Sequence, residues 1–247
     1  MSLPIQAQIR VTVSGEVAGP GVHELAGSPR LADAVKAAQV KPDVYAIGAV
    51  WSQRSLLLPQ RRLQAGLLFE LGMIRQQAST QGDDAMAGSS RSLHDWLQRM
   101  PVTGRRRVHT LDPAQLSVSD ADNFPLDDGD QLSYVKRPGM VRVVGALAHA
   151  CALPQVGLKA ARDYLADCPP SKAADRDLLY VIQPDGQVSE LGIALWNRSP
   201  PIVLAPGAII YVPLDQRVIR WVTDGAFNRE LAEFLATQAA SDAEVPK

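Results

Sequence analysis

The sequence predicts an α+β protein of two repeated units, with a helical hairpin inserted into the first and an amphipathic helix after the second. Three observations predict it. Val11-Thr-Val-Ser-Gly15-Glu-Val17 and Val141-Arg-Val-Val-Gly145-Ala-Leu147 share one alternation of apolar residues around a glycine, and a short helical run follows each, Leu31–Ala38 and Ala161–Cys168. Each unit closes on a glycine turn and an alternating strand, Leu126–Tyr134 with Gly129 and Leu204–Val212 with Gly207. Between Ala49-Val-Trp51 and Arg105-Arg-Arg107 the period is helical. A first domain is thus expected at residues 1–138 with an insertion at about 54–103, a second at 139–214, and a terminal helix and tail at 215–247.

The elements follow in chain order. Within the insertion, Leu63, Leu67, Leu71 and Ile74 form one helical stripe and Leu93, Trp96, Leu97 and Met100 another. Ser79–Ser90, rich in Gly, Ser and Asp, reads as an exposed connector, with Ser90 or Ser92 as N-cap of the second helix and Pro101 as its stop. The stripes pack against the first domain or the second. Arg106–Leu111 and Gln131–Val135 complete the first sheet, and Lys136–Gly139 is a link too short to act as a free tether. Leu178–Ile182 and Gln187–Leu191 flank the turn Pro184-Asp185-Gly186, and Pro200-Pro201 breaks the chain before the last strand.

Asp224 can cap a helix reaching about Thr237, with Phe227, Leu231, Phe234 and Leu235 on one face. A helix of this length is marginal in water by itself, so it must dock, either on its own domain or on a partner, and we expect that face to bind a partner protein. Ala239–Lys247 reads as a frayed tail. In the second unit the hairpin tip and the helix C-terminus lie at the same end, which makes a bridge between Cys151 and Cys168 geometrically plausible.

Composition bounds the function. With 247 residues, 46% of them hydrophobic, the chain can fill two modest cores. Its 25 basic and 26 acidic side chains, a net charge of -1, remove any global electrostatic case for nucleic acid or an anionic membrane. The longest apolar candidate, Val143–Leu153, falls short of the roughly 18 residues of a membrane span and contains Gly145 and His149, so no transmembrane segment is expected. Met1-Ser-Leu-Pro4 lacks the basic start and apolar centre of an export signal, as would also follow if one had been removed. Two cysteines suit either a reducing compartment with buried thiols or an oxidising one with a single bridge.

No reaction chemistry stands out. His23, His94, His109 and His149 lack metal-ligand spacing, and the acidic run from Asp120 to Asp130 lacks a calcium-loop pattern, so neither metal nor cofactor is expected. Nucleophile elbow, phosphate-binding glycine loop and Cys-x-x-Cys are missing, and no carboxylate pair suggests a hydrolase or lyase. Arg105 and Arg107 would share one face of a strand, spaced to hold a carboxylate or phosphate, and are the candidate ligand-binding residues; the competing reading is a structural ion pair or a solvated face. Trp51, Trp96, Trp196 and Trp221 could stack on sugar rings, although Trp96 lies on an apolar stripe and reads better as core.

Several segments together resemble the GfcC-like capsule-biosynthesis family: Val13-Ser-Gly15-Glu-Val17-Ala-Gly-Pro20-Gly21, Asp43-Val-Tyr45-Ala-Ile-Gly48-Ala49-Val-Trp51, Pro101-Val-Thr-Gly104-Arg105, Gln183-Pro184-Asp185-Gly186, Trp196-Asn197 and Pro206–Pro213. The resemblance covers nearly the whole chain. It implies two β-grasp domains of the soluble-ligand-binding type found in polysaccharide export lipoproteins, and a periplasmic, non-catalytic accessory that contacts polysaccharide or export proteins. A monomer is expected. The second hairpin departs from the pattern, with Ala148-His-Ala-Cys151 where the first has Ala18-Gly-Pro-Gly21. The alternative reading is a β-grasp module that binds a small ligand such as a cofactor.

Overall fold

The computed structural model describes residues 8–107 and 110–238. The first apolar alternation forms β1 (Gln8–Gly15), which pairs antiparallel with β2 (Gly21–Ala26). Asp33 accepts a 2.8 Å hydrogen bond from the Arg30 backbone N–H and starts α1 (Leu31–Ala37), which leads to β3 (Val50–Ser52). Two long helices follow, α2 (Leu57–Gln81) and α3 (Asp84–Arg99), before β4 (Arg105–Arg106), the short α4 (Pro113–Val118) and β5 (Gln131–Tyr134). The second half runs β6 (Met140–Gly145), β7 (Cys151–Pro154), β8 (Leu178–Ile182), β9 (Val188–Gly192), β10 (Ile209–Val212), α5 (Gln216–Ile219) and α6 (Phe227–Ala236).

These strands make two five-stranded mixed sheets of one topology, β2-β1-β5-β3-β4 and β7-β6-β10-β8-β9. In each, the first strand of the hairpin pairs in parallel with the last strand, Gly15 opposite Tyr134 and Gly145 opposite Val212. Every other pairing is antiparallel. The chain is α+β, as expected from the repeat.

The chain forms two compact units, one comprising the residues up to Leu57 with Thr103–Arg137, the other Leu58–Val102 with Pro138 onwards. The helical hairpin therefore interrupts the first sheet in sequence while belonging to the second unit in space. Its buried stripes explain why. Leu67, Leu71, Ile74, Ala78, Met86, Leu93 and Leu97 share one apolar core with Val141, Val143, Leu179, Val181 and Ile210 of the second sheet. Gln64 Nε2 donates to the carbonyls of Leu97 and Met100, both at 2.9 Å, and so ties the end of α3 to α2.

The connector expected at Ser79–Ser90 is not a loop. Only Gly82 and Asp83 separate the helices; Gly82 takes a left-handed φ of 71°, and Asp83 caps α3 by accepting from the Met86 N–H at 3.0 Å. Helix-capping residues had produced a loop-like composition, and Ser90 lies buried in mid-helix. Ala161–Ala166 is a 3₁₀ turn rather than an α-helix. The strand expected to reach Leu111 stops at Arg106, with Val108 and His109 outside the described residues.

The first unit packs Val11, Val13, Leu31, Trp51, Leu132 and Tyr134 into its own core. The Trp51 indole N–H donates to Asp130 Oδ2 at 2.9 Å, and burial pushes the Asp130 carboxyl above its ordinary range. The Tyr134 hydroxyl donates to the Leu111 carbonyl at 3.1 Å.

The C-terminal helix corrects an expectation. Phe227, Leu231, Phe234 and Leu235, expected to bind a partner, are each at most 1% exposed in the core of the second unit, so this face is already covered. Asn228 secures the docking with four hydrogen bonds. Its Oδ1 accepts from the Tyr211 hydroxyl and the Leu214 N–H, and its Nδ2 donates to the Leu214 carbonyl and Gln216 Oε1. Arg229 adds an ion pair to Glu190 at 2.9 Å. The tail at 239–247 lies outside the described residues.

Removal of residues 224–247 is expected to unfold the second unit. Four large apolar side chains at about 1.5 to 3 kcal/mol each are comparable to the roughly 5 to 15 kcal/mol that stabilises a whole domain. Loss of one cooperative thermal transition checks this, and an intact second transition would refute it. Asn228→Ala, which leaves a buried hydroxyl and backbone groups without partners, should cost about 2 to 3 kcal/mol in urea unfolding.

Cys151 and Cys168 are joined in a disulfide that spans 17 residues. Replacing both by Ser should lower unfolding free energy by about 3 kcal/mol. Reductant should shift the native protein to the same urea midpoint as the double variant and leave that variant unchanged.

Candidate functional site

The repeat has a fixed local geometry where its parallel strands end. Gly15 has φ 90°, and a Cβ there would collide with the Tyr134 carbonyl oxygen across the parallel pair. Free of that collision, the Glu16 N–H donates to the same oxygen at 2.7 Å and the Val17 N–H donates back to Gly15 at 2.8 Å. The second unit repeats each feature. Gly145 has φ 116° and would collide with the Val212 carbonyl, the Ala146 N–H donates to that oxygen at 2.8 Å, and the Leu147 N–H to Gly145 at 2.9 Å.

In the first unit a cleft of about 540 Å³ opens at this place. Gly15, Glu16 and Val17 come from the end of β1, and Val135, Lys136 and Arg137 from the end of β5. Lys41, Asp43, Val44 and Tyr45 complete the lining from the segment after α1. That segment is anchored to the hairpin by a 2.9 Å hydrogen bond from the Gly19 N–H to the Ala38 carbonyl. Tyr45 is seated against Gly48, where a Cβ would lie 2.6 Å from its ring, and the Arg137 guanidinium lies 5.9 Å from the ring centroid. The lining thus combines three cations, two carboxylates, an aromatic ring and the side chains of three valines.

In the second unit the matching place is filled by its own chain. Leu147 bridges to Pro170, Ala174 bridges to Leu214, the Ser171 N–H donates to the Ala146 carbonyl at 2.9 Å, and Ala146 and Leu214 are completely buried.

The arginine cluster does not form the expected ligand pair. Arg105, opposite Ser52 on β4, is only 4% exposed, so its guanidinium is sunk in the protein; Arg107 lies past the end of β4 and is exposed. Alternation needs a continuing strand, and this one has two residues. Arg106 caps Trp51 and Phe124, 5.1 and 4.9 Å from their ring centroids, and donates to Gln53 Oε1 at 3.2 Å. Arg105→Ala is accordingly expected to lower the thermal midpoint by several degrees, and Arg107→Ala to leave it within about a degree.

The remaining candidates scatter. Trp51 is buried, Trp96 packs half-buried on the second core, and Trp196 and Trp221 are 77% and 70% exposed, the latter beneath Arg220. His23 contacts the Gly19 carbonyl and His94 contacts Asp95, while His109 lies outside the described residues. Among the described residues no cluster of His, Cys, Asp and Glu could hold a metal ion. The acidic run serves the loop itself, with Asp122 accepting from Ser119 and Gln115 and Asp128 from the Arg10 N–H. Sequence reasoning missed Lys41, Tyr45, Lys136 and Arg137 as a group. The one signal that could have found them is the glycine ending a strand paired in parallel, since open sheets gather ligands beyond the carboxyl ends of parallel strands.

Comparison with known proteins covers both units. A family model described as capsule biosynthesis GfcC, N-terminal, matches residues 6–138, and one described as capsule biosynthesis GfcC C-terminal matches residues 150–240. The chain is also similar to the uncharacterized protein YjbG of Escherichia coli (strain K12), 30% identical over 213 residues that span 86% of this chain and 80% of that relative. With its two halves matched in order, the chain belongs to the GfcC capsule-biosynthesis family.

Proposed function

We propose that the protein is a non-catalytic accessory of capsule or exopolysaccharide assembly that works as a monomer in the periplasm and contacts glycan or export proteins. The family match across both units carries this reading. The disulfide supports an oxidising compartment, where such bonds form and persist. Two sheets of one order, with outer strands following a central parallel pair, support the β-grasp assignment and with it a likeness to polysaccharide export lipoproteins. The open cleft of the first unit offers the contact point.

The cleft also favours a second reading, a module that binds a small ligand, because 540 Å³ falls within the roughly 300 to 1,000 Å³ of such sites. Genetics separates the two. In a strain deleted for its own copy of the gene, the full chain directed to the periplasm should restore surface polysaccharide, and the same chain retained in the cytoplasm should not. Restoration by the cytoplasmic form would reject the periplasmic role. Normal polysaccharide in the deletion strain, together with a small molecule carried through purification and seen by native mass spectrometry, would favour the second reading.

A further inference from the structure

The two units make opposite use of one architecture. At the end of the parallel strand pair, the second unit fills the space with Pro170, Ser171, Ala174 and Leu214, whereas the first leaves an open cleft. Three cations converge there. Lys41, Lys136 and Arg137 are exposed, and among the described residues neither lysine makes an ion pair or a side-chain hydrogen bond. A scattered set of solvated charges would explain this for any one of them. It does not explain why they meet around an aromatic ring in a concave site whose counterpart is closed.

We propose that this cleft binds a carboxylate-bearing saccharide. Arg137 offers a planar fork matched to a carboxylate, and the lysines supply point charges on either side. Tyr45, seated against Gly48 with the Arg137 guanidinium over its ring, adds an aromatic surface next to the carboxylate fork against which a pyranose can pack. Glu16 and Asp43 decide between a sugar and a simple anion: they would weaken phosphate binding by repulsion, whereas hydroxyl groups need acceptors as well as donors. The choice of saccharide over other organic anions rests on the capsule reading. The charge and shape rest on the cleft alone.

Titration calorimetry on the full chain tests this with trigalacturonate, maltotriose and inorganic phosphate as probes. Trigalacturonate should bind, more weakly as salt rises, and at least tenfold more tightly than maltotriose or phosphate. Lys136→Glu with Arg137→Glu should reduce that affinity tenfold or more, as should Tyr45→Ala, while Lys172→Glu on the second unit leaves it unchanged. Lys41→Glu provides an independent variant at an exposed position, and unchanged thermal midpoints identify which variants report on binding. Absence of trigalacturonate binding, equal binding of maltotriose or phosphate, or indifference to both charge reversals would overturn the proposal. Complementation keeps the two readings apart: a chain that restores surface polysaccharide yet binds no trigalacturonate refutes the ligand class and leaves the capsule role standing.

Discussion

The parallel pairing of the first and last strands in each unit is the constraint on which the rest depends. It places two carboxyl ends side by side, and the turn beyond can form only if the residue facing the neighbouring carbonyl has no side chain. Gly15 and Gly145 meet that condition, and the following N–H group then satisfies the exposed carbonyl. Hairpin direction, the departure of the chain from the last strand, and the space between them all follow. One unit leaves this space open and the other fills it, so the repeat yields one unit with an open cleft and one closed on its own chain.

How the second unit closes shows where stability is invested. Asn228 uses its whole hydrogen-bonding capacity on the chain around β10, and Phe227, Leu231, Phe234 and Leu235 complete the core beneath it. An amphipathic helix at a chain end invites reading as a docking element, yet the same apolar stripe serves equally well as the last piece of a core. Hydrophobic pattern alone does not identify the surface it faces. Asn228, a polar residue on the same buried face as Phe227, Leu231 and Ala232, was the local sign that this helix had specific backbone groups to satisfy.

The same distinction explains what was legible in the sequence. The duplicated strands, the glycine turns, the Pro184-Asp185-Gly186 hairpin and both helical stripes could be read because their periods and turn residues are local. Ser79–Ser90 could not, because capping residues and loop residues are the same amino acids, and only Gly82 and Asp83 lie between the helices. The short strand ending at Arg106 placed Arg105 inside the protein, against a reading that assumed continued alternation. The cleft was hidden for another reason. Its lining comes from three stretches separated by other elements: sheet pairing brings the Gly15 and Arg137 stretches together, and the segment after α1, tied to the hairpin at Gly19, adds Tyr45.

The allocation of the helical hairpin has a consequence for how the protein is made. Residues 58–102 leave the ribosome long before the sheet and terminal helix that cover them, so the apolar faces of α2 and α3 must wait for most of the chain to be synthesised. The N-terminal half matched as a family segment, residues 6–138, is consequently an evolutionary module but not a folding module. Expressed without its C-terminal half, it would carry a hairpin with no core to join, a sticky surface that favours aggregation. The cover of the hairpin is complete only once the residues of the terminal helix, up to Ala236, have been added.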